Sequence, residues 1–350
     1  MPGSFLKKRS PSKSKDIIQE MPAGSPADSA AGAEASGSEL PTAPPPPPPS
    51  STAAEGSASS GDAARSAFGC SSDGTSVKLS NGDGTFFQLR TGPNYKKNGK
   101  KTFSLPHTYE PVSIDMFKRE SICFSTAEHL ALPPPPDGAA PNDSGLPRRL
   151  IINLVIPLDG PSLMRSPTEG PCYQIVSVYA ASAATLKAWQ DEGSSAAKLF
   201  ARFCKQAPEG LVADKADVDK DGLDIKERIK IIPWIENAKA VGLPHWLEGY
   251  NGKPALITKS GSIHRGDDYL EITMNLYRFG FLTRKGMHHL LPQLGAFELH
   301  CAVTIEGRED DELDERSLLA LKVSALDLVK LAKEGVLPEE GRPASARKSK

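Results

Sequence analysis

The chain has 350 residues, a formal net charge of −1 and a mean hydropathy of −0.36. That balance excludes a global field drawing the protein to nucleic acid, and no apolar run reaches the ~18 residues of a membrane span. Composition along the chain is uneven. Residues 1–75 are rich in Ser, Ala, Gly and Pro, with an unbroken proline run from Pro44 to Pro49, so a disordered tail is expected.

The ordered part is expected over 76–335, as a single domain. TFFQLR (Thr85 to Arg90) reads as a strand, and Asn98-Gly99 between lysine pairs suits a two-residue type I′ hairpin turn. A helical or irregular stretch is expected over about 113–130. PPPPDGAAPNDSGLPRR (133–149) holds too many helix and strand breakers for either element and reads as an exposed insertion. LIINLVIP (150–157) is short, continuous and β-branched, the pattern of a buried strand, and CYQIVSVYAA (172–181) is a second. SAATLKAWQDE and SSAAKLFARFCKQ follow; in the latter Ala197, Phe200, Ala201 and Cys204 recur at helical spacing. A second insertion is expected over about 208–224.

Strands are expected at 227–236, 253–261, 268–279 and 296–307; in the third, Leu270, Ile272, Met274 and Leu276 fall on one face. TRKGMHHLLPQL reads as a short helix ending near Pro292. The segment from Ser317 reads as a strand to about Leu326, then a helix capped by Gly335. Residues 336–350 form a basic tail. The pattern predicts an α+β fold, a mainly antiparallel curved sheet packed by helices.

DVDKDGLDIKER, from Asp217, begins like a calcium loop, with Asp217, Asp219 and Asp221 at positions one, three and five and Gly222 at six. Position twelve, which must supply a bidentate carboxylate, is Arg228, and RIKIIPW after it reads as a strand. No metal ligand set is expected. The five cysteines, at 70, 123, 172, 204 and 301, form no CxxC pair, and Cys123, Cys172 and Cys301 read as buried free thiols. No GxSxG, HExxH or GxGxxG occurs, so neither a cofactor nor a catalytic set is expected. His264, Asp267, Asp268 and Glu271 gather in IHRGDDYLEI, which a polar turn explains. His288 and His289, being adjacent, point about 100° apart on a helix and cannot share a metal.

GPNYKKNGKKT does not match a phosphate loop, since six residues separate Gly92 from Gly99. Arg90, Tyr95, Lys96, Lys97, Lys100 and Lys101 nevertheless form the densest basic patch of the ordered chain and are the candidate contact for an anionic lipid headgroup.

The order FQLRTGPNYKKNGKKTF, LIINLVIP, LFARFC, ERIKIIPWIENA, GKPALI, GDDYLEITMNL and LLALKVSALDL resembles the C-terminal domain of the plant protein Enhanced Disease Resistance 2, over about 86–330. That domain often follows a pleckstrin-homology domain and a START lipid-binding domain; residues 1–75 are expected to hold neither. The resemblance carries over no catalytic residue. It implies a non-enzymatic lipid-binding or membrane-associated regulatory module, its partner an anionic lipid or an apolar ligand held between strands and helices. Two alternatives stand beside it: a scaffold whose proline tract engages a polyproline-binding protein, and an enzyme of unrecognised class. No nucleic-acid partner and no transmembrane segment are expected. The expected location is intracellular, cytoplasmic or at a membrane periphery, because the N-terminus lacks an apolar signal region.

Overall fold

A nine-residue apolar run cannot face water on either side, and β5 (Arg149–Pro157) does not: it lies between two neighbours in the middle of a six-stranded sheet. The computed structural model describes residues 77–164, 167–210 and 220–334. The N-terminal tail, its proline run, the basic C-terminal tail, Gly335, Asp217 and Asp219 lie outside these.

In chain order the strands are β1 (Lys78–Asn81), β2 (Gln88–Arg90), β3 (Lys101–Phe103), β4 (Glu110–Arg119), β5, β6 (Cys172–Ala180), β7 (Ile229–Ile235), β8 (Ala255–Leu256), β9 (Gly261–Arg265), β10 (Tyr269–Asn275), β11 (Leu299–Ile305), β12 (Leu319–Ser324) and β13 (Lys333–Glu334). The helices are α1 (Tyr95–Asn98), α2 (Ala183–Glu192), α3 (Ser195–Gln206), α4 (Lys220–Lys226), α5 (His245–Glu248), α6 (Phe281–Leu290) and α7 (Leu328–Leu331). One sheet runs β1-β12-β11-β7-β8, the other β13-β4-β6-β5-β10-β9, and β2-β3 is a separate hairpin. All pairings are antiparallel except β5 with β10 and β4 with β13. The expected α+β, mainly antiparallel architecture is therefore the one found.

The main core joins both sheets to α2 and α3. Leu150, Ile152 and Ile156 of β5 face it with Leu270, Ile272 and Met274 of β10. Ser182 and Ser194 cap α2 and α3 with their hydroxyls. Trp189 stacks on Phe200 at 5.6 Å, Tyr109 meets Phe200 edge-on at 6.0 Å, and Phe203 lies beyond. The strand faces that had offered to enclose an apolar ligand are thus filled by each other and by these rings.

Several local expectations change. The helix expected to run to Gly335 ends after one turn, at Leu331, and Lys333–Glu334 is β13, paired with β4. Residues 113–119 are strand, the greater part of the ten-residue β4, whose Ile114 and Met116 face the main core, and 120–130 are irregular with a 3-10 turn at Thr126–Glu128. Thr85 and Phe86 belong to a 3-10 turn capped by Asp83, and the strand starts only at Gln88. The hairpin turn is not two residues long: Arg90 pairs with Lys101, and the connection holds the helical turn α1, which Gly99 closes at φ +61°. The strand expected at 253–261 is β8 and β9, separated by a turn. Residues 133–149 fold back on the sheet, where buried Arg148 donates to the carbonyls of Gly138 (2.8 Å) and Ala140 (2.9 Å) and pairs with Asp137.

Phe200→Ala removes the ring shared by Trp189 and Tyr109. It is expected to lower stability by about 3–5 kcal/mol, read as a lower urea midpoint at unchanged slope.

Candidate functional site

The basic hairpin does not stand alone. The loop after β11, GREDDELDER (307–316), folds against it. Buried Arg90 pairs with Glu306 at 2.8 Å and donates to the Gly307 carbonyl at 3.2 Å. Tyr95 is buried beneath the Arg90 guanidinium, 4.8 Å from ring centre to its carbon. Lys96 pairs with Glu309 at 2.7 Å. Asp314 accepts from Thr91 and from the Gly92 N–H (2.7 Å), and Asp310 accepts from the Asn94 N–H (2.9 Å). These contacts explain why the turn is wide. Of the six expected contact residues, Lys97, Lys100 and Lys101 remain exposed and make no ion pair among the described residues. Beside them Phe103 and Leu105 are 53% and 59% exposed.

The described part of the acidic stretch, α4 from Lys220, leads into the same cluster. Gly222 lies within α4 rather than in a loop turn. Arg228, the cation at the calcium-loop position twelve, is buried and paired with Asp224 and with Glu312 (2.7 Å). Glu312 also receives Arg202 at 2.7 Å, and Arg308 bridges Glu306 (2.9 Å) and Asp224. Lys230 and Glu315 form a fully buried pair at 2.5 Å. Among the described residues no group of three His, Cys, Asp or Glu side chains is placed to hold a metal ion.

The other singled-out residues separate. Glu271 is fully buried on the outer side of β10, accepting from the Thr126 N–H (3.0 Å), the Thr126 hydroxyl (2.7 Å), the Ala127 N–H (3.0 Å) and Asn153 (3.2 Å). Burial pushes its carboxyl up, against the pull of those donors. It therefore latches the loop after β4 onto the sheet. Asp268 pairs with Arg149, and His264 Nε2 lies 2.7 Å from Glu128. A cleft of about 270 Å³ nearby is lined by Leu146, Cys204, Arg265, Asp267 and Tyr269; Arg265 is already engaged by the carbonyls of Cys204 and Ala207. Cys123, Cys172 and Cys301 are buried free thiols, and burial pushes Cys172 and Cys301 up to about 12. Both of these thiols therefore stay protonated at neutral pH, the form that does not attack.

Sequence reading missed the far end of the large sheet. Because β5 and β10 are parallel, both end there, at Pro157 and Asn275. The loop after β5 is sewn to β10: Asn275 donates to the Thr168 carbonyl at 3.0 Å, and the Tyr277 hydroxyl to the Pro171 carbonyl at 2.7 Å. Its tip carries Leu163 and Met164, 85% and 94% exposed. α6 follows β10, with Leu282, Lys285, His288 and His289 exposed. The loop lies over this helix, since a Cβ on Gly160 would come 3.2 Å from the His288 ring. One turn before His288, Arg284 is only 7% exposed. Its Nε is buried without a hydrogen-bond partner, and the guanidinium makes no ion pair among the described residues. Tyr277 is close: burial pushes its hydroxyl up to about 12, Cys172 and Asp159 push the same way, and Arg284 pulls back. The signal in the sequence was Leu163-Met164, an apolar pair in a loop of Gly, Pro and Ser with no periodicity to bury it.

Fold and surface together define a two-sheet α+β domain with a charge-sealed end around Arg228 and an apolar, basic end around α6. The chain belongs to the family described as Protein ENHANCED DISEASE RESISTANCE 2, C-terminal, whose sequence model matches residues 80–327. No curated protein and no solved structure matches the chain. Among the described residues no helix is long and apolar enough to cross a membrane.

The sealed end predicts a pH dependence. Burial alone pushes Glu312 up, but Arg228 and the N–H groups of Arg308 and Glu309 outweigh it and hold the carboxyl at about 2, against 4.5 for an unperturbed glutamate. A folded-state value below the unfolded one contributes stability that is complete above about pH 4.5 and is lost as the pH falls toward 2. Glu312→Gln is expected to flatten the fall of the urea midpoint across that window; an unchanged slope contradicts the assignment.

Proposed function

We propose that this domain is a non-enzymatic module that docks on anionic bilayers through the α6 end of its large sheet. The observation that carries the reading is the loop tip, where Leu163 and Met164 are 85% and 94% exposed. Large apolar side chains held this far into water gain on entering a bilayer interface, about 1.5–3 kcal/mol each when fully buried. Leu282 stands exposed on α6, and Arg278 and Lys285 beside it make no ion pair among the described residues. Each cation near an anionic surface adds about 1 kcal/mol. After the cost of association, such a sum suits reversible peripheral binding.

A second reading keeps the hairpin, where Lys97, Lys100 and Lys101 stand beside exposed Phe103 and Leu105. The two surfaces lie at opposite ends of β4. Tyr109, just before β4, bridges to Leu319, where the acidic loop ends. Arg119, at its other end, pairs with Cys172, where the loop bearing Leu163 returns. Ten residues of strand span about 33 Å, so one flat bilayer engages one end or the other.

Sedimentation with phosphatidylserine–phosphatidylcholine vesicles separates the two. Leu163→Ser with Met164→Ser is expected to weaken binding at least about tenfold, the loss of two inserted side chains. Ala at Lys97, Lys100 and Lys101 is expected to change it less than about threefold. The reverse pattern assigns the contact to the hairpin, and equal, negligible binding to anionic and neutral vesicles removes both readings.

A further inference from the structure

We infer that Arg284 is the recognition group of a niche for a phosphomonoester, and that the phosphate it takes belongs to the headgroup of an anionic phospholipid. The inference rests on the docking reading above and names the ligand of that same end.

Four of the other buried cations have carboxylate partners: Arg90 has Glu306, Arg148 has Asp137, Arg228 has Asp224 and Glu312, and Lys230 has Glu315. Burying a charge without a partner is strongly unfavourable, and the chain meets that requirement at each of these four. Arg284 is as buried as they are, yet no carboxylate pairs with it among the described residues; its Nε, like that of Arg148, has no hydrogen-bond partner. A guanidinium so placed gains more from an incoming anion than any exposed lysine does. Its planar fork matches the paired oxygens of a phosphate.

The surroundings favour a doubly charged phosphate carried by a lipid. Tyr277, the neighbouring hydroxyl, already donates to the Pro171 carbonyl, so recognition falls to Arg284, with Lys285 and His288 on the same helix. Among the described residues the loop over the helix contributes two exposed carboxylates, Asp159 and Glu169, beside the three cations Arg278, Arg284 and Lys285. Of these cations only Arg284 is buried, so the fork is the group that gains most from a phosphomonoester. Leu163 and Met164 lie on that same loop. A free phosphate leaves them in water; a phospholipid brings the interface that covers them.

The test is thermal unfolding of the full chain with soluble dihexanoyl phosphatidic acid, dihexanoyl phosphatidylcholine or inorganic phosphate. Phosphatidic acid near saturation is expected to raise the wild-type midpoint by about 5 °C, and the other two to leave it within a degree or so at the same concentration. Arg284→Met is expected to raise the ligand-free midpoint, because it removes an uncompensated buried charge, and to abolish the phosphatidic acid shift. Arg284→Lys keeps the charge and the packing stem and is expected to lose most of that shift. The Leu163→Ser, Met164→Ser variant is expected to keep the shift while losing vesicle binding, so failure of the docking reading and failure of the niche are read separately. No wild-type shift, a shift of equal size with inorganic phosphate or phosphatidylcholine, a lower ligand-free midpoint for Arg284→Met, or a full shift in Arg284→Lys overturns the inference.

Discussion

The Arg228–Glu312 pair, 2.7 Å long and buried on both sides, is the contact on which one end of the molecule depends. It ties the start of β7 to the loop between β11 and β12. Through Asp224 it reaches α4, through Arg202 it reaches α3, and through Arg308 and Glu306 it reaches Arg90 and the hairpin. Removing one member of such a set leaves its partner charged and out of water, which is more destabilising than the pair is stabilising. The hairpin, the acidic loop and the two helices are therefore held as one unit.

Part of the basic patch, and the cation at the calcium-loop position twelve, are engaged in this cluster. Arg90 and Lys96 of the hairpin engage Glu306 and Glu309, and Arg228 engages Asp224 and Glu312, whereas Lys97, Lys100 and Lys101 stay without ion pairs among the described residues. Lys96 and Glu309 are 213 positions apart and Arg228 and Glu312 are 84 apart, separations at which no local pattern reports a contact. The elements that were legible are those whose burial follows from their own periodicity: β5 and β6, the Phe200 face of α3, and the alternation of β10 and β11. The opening of β4 was misread although Ile114 and Met116 alternate with Ser113 and Asp115, because the polar half of that alternation resembles a helix surface when no partner strand is known. β10 shows the reverse limit. Its period-two face was read correctly, yet the intervening Glu271 and Thr273 are also buried, since a loop from β4 covers them.

The α6 end escaped the sequence for a different reason. An arginine on a short amphipathic helix reads as solvent-facing unless the fold places it inward, and its lack of a carboxylate partner is a property of the whole surroundings. The feature of the sequence that could have marked this end, and was not read, is Leu163-Met164. The resulting molecule has two unlike ends: one where charge is neutralised internally, and one where a buried cation has no carboxylate partner among the described residues and large apolar side chains stand exposed. Family membership sets the extent of the domain, over residues 80–327; the contrast between the ends is what directs attention to a ligand.

Hydrogen–deuterium exchange of the full chain, with and without vesicles containing phosphatidic acid, tests that contrast most directly, because it reads both ends in one sample. The account predicts slowed exchange in peptides covering residues 158–164 and 276–290, with residues 91–105 unchanged. Protection confined to 91–105, or none at either end, contradicts it.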